Sequence, residues 1–163
     1  MEKIHKAVFD SGPLIHLHEI HSASLLSLIK KPCTTPEVKK ETSPYLSVFP
    51  KNVRIIALEK QGKDFAKYLI EQFVLGIGET TAMSLAKQEK ISLFFTDDLD
   101  ARNVAKHFGF EAHGTLAIIM RALKEKIINK KEAEEKVQSL ADSSLFITSD
   151  LIAWTFQQIR MYK

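Results

Sequence analysis

The sequence predicts an α/β fold with a central, mainly parallel sheet flanked by helices, and three observations carry that reading. Short apolar runs recur along the chain, each followed by turn residues and then by a helical pattern. Strands separated by helices pair in parallel, because the crossover needs an element of about that length. Two of the runs, Val8-Phe9-Asp10 and Phe94-Phe95-Thr96-Asp97, close on acids. No repeat, low-complexity tract or Gly/Ser linker divides the 163 residues. The expectation is one domain, 1–163, with a helical C-terminal part from residue 115 onward.

The elements follow in order. Residues 6–10 read as a strand ending at Asp10. Ser11-Gly12-Pro13 then supplies turn and helix-start chemistry ahead of Leu14, Ile15 and Leu17. Residues 22–30 read as a second short helix with Leu25, Leu26, Leu28 and Ile29 on its apolar side. Residues 32–35 suit a short strand, and Pro36 at a first helical position opens a helix to Glu41 that Ser43-Pro44 stops.

Residues 52–58 are strand-like, and 64–74 carry Phe65, Tyr68, Leu69 and Phe73 at helical spacing. A glycine turn at Gly76 and Gly78 runs into a helix to Lys87. Residues 92–96 form a buried-type strand, followed by a helix to Lys106 with Ala101, Val104, Ala105 and Phe108 inward. A further strand at 110–113, a helix from Gly114-Thr115 to Lys126, and closing helices at 130–140 and 150–159 complete the chain.

Composition narrows the function less than the fold. A hydrophobic fraction of 45% and a charged fraction of 26% are those of an ordinary folded protein. No apolar run approaches the roughly 18–20 residues of a bilayer span, and the start of the chain lacks a signal-type apolar stretch. The expectation is a cytoplasmic protein without a membrane partner. The lone Cys33 excludes an internal disulfide and fits a buried thiol in a reducing compartment. A net charge of +3 permits a nucleic-acid partner without requiring one.

The chemistry lies in the acids. Sites in open parallel sheets form outside the carboxyl ends of the strands. If the strands ending at Asp10 and Asp97 are neighbours, two carboxylates meet there, and a divalent cation is the usual compensation. Glu79 follows Gly78 in the first turn of a helix, and Asp98 begins the next unit in the same way. Oxygen-only donors favour Mg²⁺ or Mn²⁺ over zinc or copper. Such ions coordinate phosphate and activate water for displacement at phosphorus.

Taken singly, each acid is also a helix N-cap or a dipole partner. Glu37 and Glu41, at i,i+4 spacing, share a helix face, and periodicity does not choose between them. Ser11 and Thr96 flank the acids with hydroxyls, and Arg102 stands one turn beyond Asp98, where an intrahelical ion pair is the plain expectation.

Other features point elsewhere. His16, His18 and His21 imitate a metal sequence, but on a helix His16 and His18 diverge by about 200°, so surface or interface packing is the expectation. Gly76-Ile77-Gly78 is too short for a dinucleotide fingerprint. Trp154, Phe156, Ile159 and Tyr162 read as core or dimer surface, and 124–136 as a solvated face of mixed charge.

Four stretches in order, VFDSGPLI at 8–15, PEVKKE at 36–41, GETTAM at 78–83 and TDDLDARNVA at 96–105, carry a resemblance to the PIN-domain proteins, most closely a toxin-like prokaryotic branch. HGTLAII at 113–119 and the helical tail at 139–159 extend it over nearly the whole chain. The resemblance implies a PIN-like three-layer α/β/α fold and an Mg²⁺- or Mn²⁺-dependent endoribonuclease. Carried over position by position, its acids are Asp10, Glu41 rather than Glu37, Glu79, and one of Asp97 and Asp98, with both retained. Asp10, Glu79 and the aspartate pair are the expected metal ligands, with Glu41 completing the set and Ser11, Thr96 and Arg102 supporting it.

The resemblance further implies an RNA substrate, a homodimer, and a small antitoxin protein as partner in a toxin–antitoxin pair. Lys39, Lys40 and Arg102 are candidates for the RNA backbone. A receiver-type signalling module, a non-catalytic PIN scaffold and a haloacid-dehalogenase-like phosphatase are the alternatives. The first lacks a Lys at a late strand end, the second does not need the full acidic set, and the third lacks the second Asp of Asp-x-Asp.

Overall fold

The computed structural model describes residues 4–163. Five strands form one sheet: β1 (Ile4–Phe9), β2 (Ile29–Thr34), β3 (Arg54–Ile55), β4 (Leu93–Phe95) and β5 (Glu111–His113). All pairings are parallel, in the order β3-β2-β1-β4-β5. Eight helices accompany them among the described residues: α1 (Ser11–Glu19), α2 (Pro36–Thr42), α3 (Lys60–Gln72), α4 (Ile77–Gln88), α5 (Leu99–His107), α6 (Thr115–Lys124), α7 (Lys130–Ala141) and α8 (Ser149–Met161).

The strand order has a functional consequence. The chain runs outward from β1 through β2 to β3, then returns past β1 to continue at β4 and β5. Right-handed crossovers in opposite directions put their helices on opposite faces, which gives the three-layer α/β/α arrangement. The reversal falls between β1 and β4, and the crevice of such a sheet opens there, beyond the carboxyl ends. Val8 pairs with Phe94 and Phe9 with Phe95, and the Asp10 amide extends the ladder to the Phe95 carbonyl at 2.9 Å. Asp10 and the Thr96-Asp97-Asp98 turn are therefore adjacent.

The strands bury apolar side chains on both faces, as a sandwiched parallel sheet must. Ala7, Val8, Phe9 and Phe94 are inaccessible to solvent, and Phe9 stacks on Phe95 with ring centroids 4.9 Å apart. Cys33 is buried, with its thiol 3.5 Å from the Ala7 carbonyl. Helix α4 lies deepest: Thr80, Ala82, Met83, Ser84, Leu85 and Ala86 are all fully enclosed, against α3, α2, β1 and β4. Burying Met83 and Leu85 contributes about 2 kcal/mol each. Thr80 and Ser84, polar in that setting, return their hydroxyls to carbonyls one turn back.

The local expectations fail at two places. Residues 22–30 do not form one helix: a 3₁₀ segment covers Ala23–Leu28, and Ile29 and Lys30 already belong to β2. The run of leucines suits a helix, but pairing with β1 from Ile4 onward pulls the strand start forward, and Lys30 and Lys31 point outward. The strand expected at 52–58 shrinks to Arg54–Ile55, because at the sheet edge it meets β2 only through Cys33 and Thr34. No helix among the described residues is long and apolar enough to cross a membrane.

Candidate acidic site at the strand ends

Asp10 caps α1 and closes β1. It is 4% exposed, with Oδ1 accepting from the Ser11 amide at 2.7 Å and Oδ2 from the Thr96 hydroxyl at 2.8 Å. The Ser11 hydroxyl stands farther off, at 3.5 Å. Burial pushes the Asp10 carboxyl up to about 7, against the pull of the Thr96 and Ser11 bonds, and the charges of Glu79 and Glu41 push the same way. Thr96, fully buried at the end of β4, donates to Asp10 and accepts from the Asp98 amide at 3.3 Å. One hydroxyl thus ties the two strand ends together.

The glutamates arrive from helices. Helix α2 starts at Thr35, whose hydroxyl accepts from the Val38 amide and lies 3.0 Å from the Thr81 hydroxyl of α4. That contact fixes α2 against α4 and brings Glu41, near the end of α2, to the start of α4. There Glu41 Oε1 accepts from the Gly78 amide at 2.9 Å. Any side chain at position 78 would overlap the Glu41 carboxylate, so glycine is required by close approach. Glu79 turns back on its own helix start, its Oε2 accepting from the Gly76 amide at 2.7 Å. Burial and the charges of Asp98, Glu41 and Asp100 raise the Glu79 carboxyl above its usual range, outweighing the Gly76 bond. Glu37, in the first turn of α2, has one buried carboxylate oxygen without a hydrogen-bond partner among the described residues.

The two aspartates of the pair diverge. Asp98 is exposed and caps α5, accepting from the Ala101 amide at 2.8 Å. Its charge reaches Glu79. Asp97 is enclosed, its side chain 7% exposed. Its Oδ1 accepts from the Thr115 amide, and its Oδ2 from the Thr115 hydroxyl and from His16 Nδ1, all at 2.6 Å. His16 is therefore not the surface or interface residue expected from its spacing; its side chain is 13% exposed and bonded across 81 positions of sequence. Thr115 and His16 are the partners that sequence reasoning missed. The one available signal was position, since Thr115 opens a helix and His16 lies in the second turn of another, each helix following a strand end. Arg102 forms no ion pair with Asp98; it approaches Gly114 beside Asp97, and its Nε is buried without a hydrogen-bond partner.

Asp10, Glu41 and Asp98 all lie near enough to Glu79 to interact with its charge, and among the described residues none of the four has a Lys, Arg or His within ion-pair distance. Lys39 instead lies over the Phe49 ring. Among the described residues no three His, Cys, Asp or Glu stand close enough to grip a metal directly. The donor chemistry nevertheless suits a hard divalent cation. Among the described residues Glu41, Glu79 and Asp98 each give one oxygen to a backbone amide and leave the other free, and burial raises the Asp10 carboxyl, with the charges of Glu79 and Glu41 adding to it.

The chain is an all-parallel α/β/α sheet with carboxylates near its switch point. The chain belongs to the PIN-domain family, whose pattern it matches over residues 6–160. No curated protein and no solved structure matches it. PIN domains are in general nucleic-acid enzymes that use divalent metal ions.

Proposed function

We propose that this protein is a divalent-metal-dependent endoribonuclease, with Mg²⁺ or Mn²⁺ held by Asp10, Glu79, Asp98 and Glu41. The observation that carries the reading is the buried Asp10 carboxylate at the switch point, bonded to Thr96 and Ser11 and without a cationic partner among the described residues. Burial and the charges of Glu79 and Glu41 raise its carboxyl. A cation bound there supplies the charge that acidifies water and neutralises phosphate oxygens. The chain's own residues do the rest. Thr96 fixes the Asp10 carboxylate by donating to Oδ2, and Gly78 and Gly76 orient Glu41 and Glu79 through their amides. Lys39, Lys40 and Arg102 contact the RNA backbone without reading its sequence.

As part of the same proposal, the protein is cytoplasmic, homodimeric, and the toxin half of a toxin–antitoxin pair whose small partner protein blocks the crevice. Asp10→Asn abolishes Mg²⁺- or Mn²⁺-dependent RNA cleavage while circular dichroism and melting show an intact fold. Full cleavage by that variant, or by the wild type in excess EDTA, would sink the reading. The spacing of the acids, too wide for direct three-fold ligation, favours a second reading, a non-catalytic PIN module that binds RNA or protein. Binding of labelled RNA without any cleavage in Mn²⁺ is its signature.

A further inference from the structure

We infer that Asp97 and His16 are positioning residues, a buried clamp between α1, the β4–α5 turn and α6, and that Asp98 alone of the aspartate pair serves the acidic crevice. The inference rests on the metal-dependent reading above. Its first support is saturation. The Asp97 carboxylate receives three short hydrogen bonds, from the Thr115 amide, the Thr115 hydroxyl and His16 Nδ1. An ionised carboxylate only accepts, so Nδ1 carries the proton in the His16 bond. Asp98 has one such bond, to the Ala101 amide, and its second oxygen is free.

The second support is that the fold makes room for this carboxylate. A Cβ on Gly12 would lie 3.3 Å from Asp97 Cβ, and one on Gly114 would lie 2.7 Å from Asp97 Oδ1. Glycine at both places lets α1 and the start of α6 close on the side chain. Gly12 and His16 stand four residues apart on α1, on the same face of the helix. The bare turn at Gly12 admits Asp97, and His16 on the next turn grips it.

The third support is what the clamp holds still. Asp97 lies between Thr96, which donates to Asp10, and Asp98, whose amide bonds back to the Thr96 hydroxyl. Helix α1 begins directly after Asp10. His16–Asp97 therefore braces the two chain segments that carry Asp10 and Asp98, in the manner of partners that orient a metal's ligands and whose loss costs about 10–100-fold in affinity or activity.

The test compares variants by Mn²⁺ binding, measured calorimetrically, and by cleavage rate. Asp98→Asn removes measurable Mn²⁺ binding, as Asp10→Asn does. His16→Ala weakens Mn²⁺ binding and slows cleavage by about tenfold. His16→Asn, whose amide nitrogen can take the place of Nδ1, restores most of both. Asp97→Asn keeps the Thr115 bonds in shape and binds Mn²⁺ with a loss smaller than that of His16→Ala. Loss of Mn²⁺ binding in Asp97→Asn as complete as in Asp98→Asn overturns the inference and makes Asp97 a ligand. Failure of His16→Asn to rescue His16→Ala also overturns it. A wild type that binds no Mn²⁺ fails the metal-dependent reading itself, a result distinct from either.

Discussion

Two neighbouring strands, β1 and β4, end on buried aspartates, and the two ends have opposite surroundings. At the end of β4, Asp97 sits among three donors, one of them a histidine, at 2.6 Å each. At the end of β1, Asp10 has the Ser11 amide at 2.7 Å, the Thr96 hydroxyl at 2.8 Å and the Ser11 hydroxyl only at 3.5 Å, and the charges acting on it are the carboxylates of Glu79 and Glu41. The fold saturates one end with short hydrogen bonds and leaves the other, among the described residues, without a cationic partner. The same residue type, one position past β1 and two past β4, thus stands in two different surroundings. What separates them is the supply of donors.

The largest effect that would break this contrast belongs to Asp97. Asp97→Ala strips the Thr115 amide and His16 of their buried partner and destabilises the fold by about 3 kcal/mol, read from urea unfolding at neutral pH. Wild-type stability in that variant would mean the β4 end holds nothing together. Asp10→Asn acts in the opposite sense. In metal-free buffer at pH 8 it removes an uncompensated buried charge and stabilises the protein by on the order of 2 kcal/mol. A destabilisation of similar size would contradict the account of the β1 end.

The contrast also has a pH signature. Unfolded Asp10 releases its proton near 3.8, whereas in the folded protein it keeps it to about 7. Between those values the unfolded chain binds fewer protons, so unfolding becomes easier as pH rises. The Asp10 contribution to stability is full below pH 3.8 and lost as pH passes 7. Glu79, also raised, adds in the same direction. Calorimetric melting of the metal-free protein from pH 4 to pH 8 shows this decline, and Asp10→Asn flattens it; equal slopes in the two proteins would refute the assignment to Asp10. The smallest effect is Thr96→Val, which deletes the hydroxyl between the two ends and costs about 1 kcal/mol in the same measurement.

Much of this was legible in the residues. Val8-Phe9-Asp10 and the run ending at Asp97 announce strands that close on acids, and Pro36 and Gly76 mark the starts of the helices that carry Glu41 and Glu79. These are local signals: an apolar run, a proline at a helix start, a glycine before an acid. The adjacency of β1 and β4 is not local, and it alone turns two acidic strand ends into one crevice. The division of Asp97 from Asp98 depends on His16 and Thr115, 81 and 18 positions away, and no periodicity reaches that far. The helical reading of 22–30 failed for the same reason, since β2 is defined by its pairing with β1 rather than by its own leucines and lysines. The choice of Glu41 over Glu37 came from family likeness; Glu41 accepts from the Gly78 amide at the start of α4.

The central claim is that the Asp97 carboxylate at the β4 end is saturated by short hydrogen bonds, whereas the carboxylates at the β1 end have no cationic partner among the described residues. Diffraction from a crystal soaked in Mn²⁺, recorded for anomalous scattering from manganese, tests it most directly. The account predicts a manganese peak among Asp10, Glu41, Glu79 and Asp98, with Asp97 still bonded to His16 and Thr115. A peak on the Asp97 carboxylate, or none at saturating Mn²⁺, would contradict it.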